Sequence, residues 1–583
     1  MPQTRHKKAL SLKSGIQLKN AFKTYTRELD KLISPQETIR RVRERLQKAG
    51  IDVLSRTLRI DTGRLDIPVY ISLCGTDSVR IIGTKKQMGK GFTPQQAEAS
   101  SLMELVERYS FFWFIKRSPF PEAPYRILRD QALDFRYIPL SVYDPDPVNK
   151  KNRLCFEELP LKWTWAFDLT HGKDILIPID WFYLIHEYNG AAAGNSLEEA
   201  VLQGLCEVVE RHVSSIISYE KRATPSIDLD SIRDPVGREL LNKFKRNGIK
   251  VYLKDFSLGT GIPTVGALAY DPVTFPGSSE IIFTAGTTTS PEKSVIRALT
   301  EVAQLAGEFQ HKTTYRPTLP KFTRLEDASY LIHPDSIVDL SSLPDVSDKN
   351  LYQEIKACVA ALNKIGHDVF VVDVTHKEIG IPVIYIIIPG VHFMDRTREN
   401  SVSYHAARLA SQLADERRAV AEMERIAGLF PYRYEVHFFL GYAYERIELP
   451  DKALSQFGAA LKMEPRSMDR ASIYCHIGIA YRNQGLYEEA IQALETAREH
   501  DEMLKEIYQQ LGFCYFKRRA YMKAIEQFEK ALEIDPGSAI DYANIGANLK
   551  AMGHTQAAVP LYEMALEVDP DLEFARTQLQ QIS

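Results

Sequence analysis

The sequence lacks the features that mark several large classes of protein. Its six cysteines occur singly among 583 residues, without a C-x-x-C pair, which disfavours a disulfide framework or a zinc site and favours reduced thiols. No apolar run approaches the ~18 residues of a membrane-spanning helix. The longest such run, residues 381–388, has the length of a buried strand. These absences predict a cytoplasmic protein with no membrane partner.

The sequence also lacks a strong excess of charge of either sign. Lys and Arg number 73 against 76 Asp and Glu, a net charge of −3, so no global field draws the chain to nucleic acid. We therefore expect no direct nucleic-acid partner. The amino terminus is locally basic but has no apolar stretch of the kind a secretory signal requires. Residues 1–30 are accordingly predicted to form a solvated, flexible basic arm.

The carboxyl-terminal third repeats itself. Gly441, Gly478, Gly512 and Gly546 are spaced 37, 34 and 34 residues apart, and an Ala series that begins at Ala453 keeps these intervals. This is the spacing of tetratricopeptide repeats, which are pairs of helices stacked into a solenoid. We predict an all-α solenoid over residues 431–583, with about four repeats and a capping helix, preceded by a connecting helix over residues 401–430.

Such solenoids leave a concave face that commonly holds a peptide or a protein partner. Recruitment of a substrate or partner and self-association as a homodimer are equal alternatives here, because periodicity identifies the fold and not its ligand.

The first four hundred residues alternate strand-like and helix-like segments. Ser34, Pro35 and Glu37 open a helix with a capping-box pattern that ends at Gly50. Strand-like runs begin near residues 67, 175, 251, 263, 369 and 382. Residues 31–400 are therefore predicted to form a mixed α/β domain of the α+β class, with an internal duplication.

The duplication rests on an acidic element that occurs twice. Glu104, Glu107 and Arg108 recur 103 residues later as Glu207, Glu210 and Arg211. Two Glu residues at i and i+3 lie on one helix face, where their charges repel unless a cation neutralises them. The adjacent Arg offers a fork for phosphate or carboxylate. The pair predicts two halves of a nucleotide–metal site.

The same offset also matches Gly91 with Gly194, so both helices follow a glycine loop. A flexible loop at a helix amino terminus favours an anion, and Lys90 could reach a phosphate. A Gly-Lys-Gly loop is more often a surface turn, however, and its spacing is not that of a P-loop.

Further polar residues extend these two helices and mark a third. The second helix carries a stripe with a period of four residues, and a later segment carries Arg297, Glu301 and Gln304 at turn spacing. A single Glu-rich helix is most often a solvated face, but two copies at a constant offset favour a site. A di-iron site would require Glu-x-x-His on the helices, and Arg stands there instead.

At these residues the sequence resembles the YcaO-domain family. The resemblance covers residues 34–400 and rests on Ser-x3-Glu-x2-Glu-Arg, on the stripe from residue 195 to residue 211, and on Arg-x3-Glu-x2-Gln. It implies a site that binds ATP and several Mg²⁺ ions. It also implies that the metal ligands are Glu104, Glu107, Glu207, Glu210 and Glu301, and that the nucleotide is surrounded by Ser100, Arg108, Asn195, Glu199, Gln203, Arg211 and Arg297.

Two departures from the family pattern bear on function. Ala192 stands where many members have Ser, and the Pro-rich tail of azoline-forming members is replaced by the repeats. The resemblance implies ATP-dependent activation of a peptide or protein backbone amide, which gives azoline, thioamide or amidine products. The partner would be a sulfur-donating or docking protein. The alternative is an accessory protein for methylthiolation of a small-subunit ribosomal protein.

Overall fold

Two compact units make up the chain in the computed structural model. One unit comprises residues 1–148 and 160–401, and the other comprises residues 149–159 and 402–583. The structure describes residues 13–310, 319–333, 336–393 and 401–582. No helix within these ranges is long and apolar enough to cross a membrane.

The described residues of the amino-terminal unit form three β-sheets. The first is an antiparallel sheet in the order β1-β2-β3, and the second has the order β11-β10-β9-β8-β12, with β8 and β12 parallel. The third has the order β4-β5-β13-β14-β7, with β6 paired to β5. The strands are β1 Leu54–Arg59, β2 Val69–Cys74, β3 Lys86–Lys90, β4 Glu122–Pro124, β5 Pro160–Asp168, β6 Lys173–Pro178, β7 Ala191–Ala193, β8 Ser226–Ile227, β9 Lys250–Asp255, β10 Thr264–Tyr270, β11 Ile282–Thr287, β12 Ile337–Val338, β13 Phe370–Asp373 and β14 Val383–Ile387.

Helices cover these sheets and bury their apolar faces. Two cores result, one centred on β14 and the helix that follows β7, the other on β10 and the helix that follows β11. The helices before residue 401 are α1 Pro35–Ala49, α2 Thr76–Ile82, α3 Pro94–Arg117, α4 Tyr125–Leu128, α5 Tyr137–Ser141, α6 Lys150–Glu158, α7 Ile179–His186, α8 Leu197–Glu220, α9 Pro235–Arg246, α10 Pro291–Leu305, α11 Ser329–Ile332 and α12 Leu351–Lys364.

The carboxyl-terminal unit is helical throughout its described residues. Four helix pairs and a final helix follow two further helices, where the sequence predicts a single connecting helix. The helices are α13 Val402–Ser411, α14 Glu416–Leu429, α15 Tyr434–Arg446, α16 Pro450–Leu461, α17 Ser467–Asn483, α18 Tyr487–His500, α19 Lys505–Lys517, α20 Tyr521–Ile534, α21 Ala539–Ala551, α22 Thr555–Val568 and α23 Glu573–Ile582. The predicted class, a mixed α/β domain followed by an all-α solenoid, is confirmed.

Helix α6 belongs to the helical unit although it lies between two stretches of the amino-terminal unit. It packs against α13 and α14, and Arg425 of α14 donates a hydrogen bond to the carbonyl of Cys155. Nothing local in the sequence marks this assignment, because the residues joined by this hydrogen bond are 270 positions apart.

The amino-terminal segment differs from the flexible arm expected over residues 1–30. Residues 1–12 lie outside the described residues, whereas the chain from residue 13 onward is fastened to the domain. The backbone N–H of Lys19 donates to Glu198 at 2.8 Å. Nζ of Lys23 lies 2.6 Å from carboxylate oxygens of both Asp30 and Glu354. The Lys23 side chain is only 5% exposed, so burial and ion pairing hold this segment in place.

Candidate nucleotide site

Three helices carry polar side chains at equivalent positions, counted from the first residue of each helix. We call this common numbering the shared frame. Helices α3, α8 and α10 start at residues 94, 197 and 291. Ser100, Gln203 and Arg297 each stand six residues after the start of their helix. Glu104, Glu207 and Glu301 stand ten residues after it, and Glu107, Glu210 and Gln304 thirteen. Residues with these spacings share one face of a helix, so the two predicted copies are joined by a third in the same frame.

Glycines let each helix pack closely on the strand before it. A Cβ atom on Gly89 would lie 2.0 Å from the backbone nitrogen of Ser101, and one on Gly286 would lie 2.5 Å from that of Ala298. In both cases the strand glycine precedes its helix contact by twelve residues. Gly194 is similarly close to Ala200, at 2.3 Å. Only glycine allows these approaches, which set α3 and α10 in equivalent positions on β3 and β11, whereas Gly194 lies just after β7.

One cavity of about 240 Å³ collects all twelve residues that the sequence singles out. Its charged lining comprises seven Glu and five Lys or Arg side chains. A ligand that carries both anionic phosphates and bound cations matches such a lining better than a ligand of one sign. The predicted residues on its wall are Ser100, Glu104, Glu107, Arg108, Asn195, Glu199, Gln203, Glu207, Glu210, Arg211, Arg297 and Glu301.

Ion pairs within the cavity join α10 to β3 and to α8. Lys90, at the end of β3, pairs with Glu301 of α10. Glu210 of α8 accepts from Nε of Arg297 at 3.1 Å and from the backbone N–H of Thr287 at 3.0 Å. Glu210 and Glu301 are thus paired with cations. The same cations, Arg297 and Lys90, line the cavity in which a ligand would bind.

Arg108 carries a buried donor that has no hydrogen-bond partner among the described residues. Its Nη1 is inaccessible to solvent and unsatisfied, while its guanidinium carbon lies 4.1 Å from the ring centroid of Tyr188. Glu104 and Glu107 approach Arg108 only to 3.7 Å. Because a buried guanidinium N–H without an acceptor is costly, its orientation fits an anionic ligand in the cavity. The stacked aromatic ring holds the guanidinium in that orientation.

The carboxylates on the cavity wall are crowded. Burial raises the pKa of Glu107 well above its usual range, and the nearby carboxylates of Glu207 and Glu104 raise it further. Burial also raises the pKa of Glu207. On the cationic side, burial lowers the pKa of Lys90 to about 7. Each shift disfavours the charged form in the protein alone, and a bound ligand of opposite charge would reverse it.

The amino end of α8 forms a separate polar cluster on the same wall. The Nδ2 amide of Asn195 donates to Glu199 at 3.1 Å and to Oγ1 of Thr38 at 3.0 Å. Lys31 lies 3.6 Å from Glu199. Lys31, Thr38 and Glu28 also line the cavity, although the sequence does not predict them as site residues. Lys31 and Glu28 lie at or beside the segment expected to be a free arm, and no local motif marks any of the three.

These residues fit ATP and Mg²⁺ by their chemistry. Carboxylates are the side chains that Mg²⁺ prefers, and Arg and Lys bind phosphate. Within the described residues, no group of three or more His, Cys, Asp or Glu side chains converges closely enough to hold an ion as it stands. The carboxylates are instead turned toward Arg and Lys, as at Glu210 and Glu301. Ala192 is fully buried in β7 opposite Ile384.

Comparison with known proteins identifies the family. The family described as YcaO cyclodehydratase, ATP- and Mg²⁺-binding, matches residues 88–392. Two tetratricopeptide-repeat families match residues 471–498 and 506–538. An uncharacterized protein of Methanothermobacter thermautotrophicus is 30% identical over 385 residues, which cover 62% of this chain and 94% of that protein.

Two further matches cover about half the length of the protein compared. The ribosomal protein S12 methylthiotransferase accessory factor YcaO of Escherichia coli is 27% identical over 348 residues, covering 52% of this chain and 56% of that protein. A solved structure of a heterocyclase in complex with substrate and cofactor shares the fold, with a TM-score of 0.52 and 23% identity. This match covers 67% of this chain and 56% of that one. The chain therefore belongs to the YcaO family, whose cofactors are ATP and Mg²⁺, and carries tetratricopeptide repeats after its YcaO domain.

Proposed function

We propose that this ATP-dependent YcaO protein activates a backbone amide of a peptide or protein by phosphorylating the amide oxygen. The observation that carries the proposal is the convergence of Glu and Arg side chains from three equivalent helices on one cavity. Further support comes from the heterocyclase, whose fold this chain shares. The products would be azolines, thioamides or amidines, according to which nucleophile adds to the amide.

The proposed reaction requires neither an oxidant nor a reductant. A nucleophile adds to the amide carbon, and the resulting oxyanion attacks the γ-phosphorus of ATP while the bond to ADP breaks. The nitrogen lone pair then expels the phosphorylated oxygen as inorganic phosphate. The nucleophile loses its proton, and where an azoline forms the amide nitrogen loses its proton as well. Phosphorylation is needed because an amide oxygen is otherwise a poor leaving group. Bound Mg²⁺ would supply charge neutralisation at the transferred phosphoryl group.

The chain's own residues would position the reactants. Arg108 and Arg211 each follow a pair of Glu residues, and we assign them to phosphate oxygens because a guanidinium fork matches phosphate geometry. Arg297 would hold the nucleotide from the third helix. The other assigned nucleotide contacts are Ser100, Asn195, Glu199 and Gln203, and the assigned metal ligands are Glu104, Glu107, Glu207, Glu210 and Glu301.

The test follows the amide oxygen. A substrate peptide labelled with ¹⁸O at the modified amide is incubated with the full chain, ATP and Mg²⁺, and the released phosphate is analysed by mass spectrometry. We expect the label in the phosphate, one atom for each amide converted. Product formation with unlabelled phosphate would contradict amide phosphorylation. A matched reaction with the Glu210→Gln variant reports the background hydrolysis of ATP.

A second candidate function follows from the Escherichia coli relative, which is named as an accessory factor of the ribosomal protein S12 methylthiotransferase. In this alternative, ATP binding supports assembly with a methylthiotransferase, and the repeats supply the docking surface. Affinity capture with the intact chain as bait tests it. Retention of a methylthiotransferase or a small-subunit ribosomal protein supports this function, and failure to retain either removes its basis.

A further inference from the structure

A basic side chain lies near the carboxyl end of the first helix in each of three successive repeats. Arg482 stands four residues after Gly478 in α17, Lys517 five residues after Gly512 in α19, and Lys550 four residues after Gly546 in α21. We call these three side chains the basic row. The first helices of neighbouring repeats line the concave face of a tetratricopeptide solenoid, so the basic row runs along that face.

The basic row has no carboxylate partner within the part of the chain that the structure describes. Arg482 donates to the amide oxygens of Asn483 and Gln510. Lys550 donates to Gln578 and Gln581 at 2.9 Å each. Arg482 and Lys550 therefore contact neutral amides, which leave their positive charges uncompensated.

Each of these helices also carries an acidic residue in its first turn, namely Asp469, Glu506 and Asp541. Asp469, in the first turn of α17, already pairs with Arg466 at 2.8 Å. Asp541, in the first turn of α21, accepts from Gln509 at 2.8 Å and from Ser538 at 2.6 Å. Asp469 is thus paired with a cation, whereas Asp541 is held by neutral groups. These acids stand in the first turns of their helices, and the positive charge of the basic row lies at the carboxyl-terminal ends.

An exposed aromatic ring lies within the basic row. Phe513 is 38% exposed, and it has the Arg482 guanidinium carbon 5.1 Å and the Lys517 ammonium 5.3 Å from its ring centroid. Gln510, Phe513 and Lys517 recur on one face of α19, and the first two contact Arg482 of the preceding repeat. Cations at the ends of helices are favoured by the helix dipole alone, but the dipole does not explain an exposed phenyl ring between two of them.

We propose that the concave face of the repeats binds an extended acidic peptide segment of a partner or substrate protein. Its Asp or Glu side chains would meet Arg482, Lys517 and Lys550, and an apolar side chain would pack against Phe513. This inference deepens the recruiting role proposed for the repeats. It requires no ATP, so its failure would leave the proposed amide chemistry untouched.

The experiment measures fluorescence anisotropy with the full chain in the absence of nucleotide. The probes are a fluorescein-labelled peptide rich in aspartate with one phenylalanine, and the same peptide with asparagine at each aspartate. We expect the acidic peptide to bind about tenfold more tightly, as three exposed ion pairs provide, and to weaken as salt is raised. Equal affinity for the two peptides overturns the proposal, as does equal competition by a single-stranded oligonucleotide.

Matched triple variants locate the binding surface. Arg482→Gln, Lys517→Gln and Lys550→Gln together should weaken the acidic peptide about tenfold. Lys462→Gln, Arg519→Gln and Lys523→Gln together remove the same charge outside the basic row, and should change affinity less than about twofold. Equal loss in both triple variants overturns the assignment. Thermal melting by circular dichroism and nucleotide binding verify that each variant is folded and that its ATP site is intact.

Discussion

Both halves of this chain are built from repeated positions, but the residues at those positions differ in kind. In the helical unit the repeated residue is glycine, and the Cβ that it lacks would meet the side chain sixteen residues later, as for Gly441 and Phe457 or Gly512 and Phe528. In the YcaO domain the repeated residues are Glu and Arg on the wall of a cavity. Repeated small residues allow helices to pack, whereas repeated buried charges destabilise the empty protein and indicate a ligand.

The largest effect should come from removing a repeated charge. Glu107→Gln and Glu210→Gln should each weaken Mg²⁺-dependent ATP binding on the order of a hundredfold, as loss of groups that hold a metal does. Isothermal titration calorimetry measures the affinity. Glu220→Gln, at the exposed carboxyl end of α8, serves as the control and should bind like the wild type. Unchanged ATP affinity in both cavity variants would falsify the site assignment.

A change at a repeated glycine should act on stability instead. The Cβ of Gly512→Ala would lie 2.7 Å from the Phe528 ring, and overpacking of this kind should cost about 1–3 kcal/mol of the free energy of unfolding. Gly458 lies in helix α16 with nothing within 4 Å of the added Cβ, so Gly458→Ala should stabilise by about 1 kcal/mol. Urea denaturation followed by circular dichroism measures both. If the two variants lost equal stability, close packing would not explain the glycine series.

The ring beside Arg108 offers a finer test of the cavity. Tyr188→Ala removes the cation–π contact at 4.1 Å and should weaken ATP binding about tenfold, because a desolvated contact of this type contributes up to about 2 kcal/mol. Tyr188→Phe keeps the ring and should stay within about threefold of the wild type. Equal loss in the two variants would assign the effect to the hydroxyl group rather than to the orientation of Arg108.

The smallest predicted effect is a gain in stability, which is opposite in sign to the loss expected for Gly512→Ala. The pKa of Glu107 is raised in the folded protein, so its ionised form at neutral pH destabilises the fold relative to the unfolded chain. Glu107→Gln should therefore raise the melting temperature of the ligand-free protein by a few degrees, on the order of 1 kcal/mol. Differential scanning fluorimetry measures the shift. A fall in melting temperature as large as that of Gly512→Ala would remove the distinction between the two kinds of repeated position.

Local signals in the sequence predicted the fold well. Ser34 caps helix α1 by accepting from the backbone of Glu37, and Gly50 ends the helix in the left-handed conformation, as expected. The spacing of the glycines predicted the helix pairs in the same way, because each unit contacts mainly its neighbours. Helix α6 could not be assigned from sequence, since its partners lie in α13 and α14.

The sequence predicted only part of the cavity wall, because some equivalent positions hold different residue types and some contacts join distant segments. A constant offset exposed α3 and α8, but in α10 the equivalent positions hold Arg297 and Gln304 in place of Ser100 and Glu107, so the shared frame is hidden by residue type. Tyr188 reaches Arg108 only through folding. Periodicity therefore recovers residues on one helix, and only the fold shows which separate segments meet.

The central claim is that three helices build one ATP–Mg²⁺ site, and the equivalent residues Glu104, Glu207 and Glu301 test it most directly. Each is changed to Gln in turn, and ATP binding with Mg²⁺ present is measured by isothermal titration calorimetry. We predict one ATP per chain for the wild type and a loss of that same binding event in all three variants. Wild-type affinity in Glu301→Gln alongside loss in the other two, or two ATP molecules per chain, would contradict a single site shared by three helices.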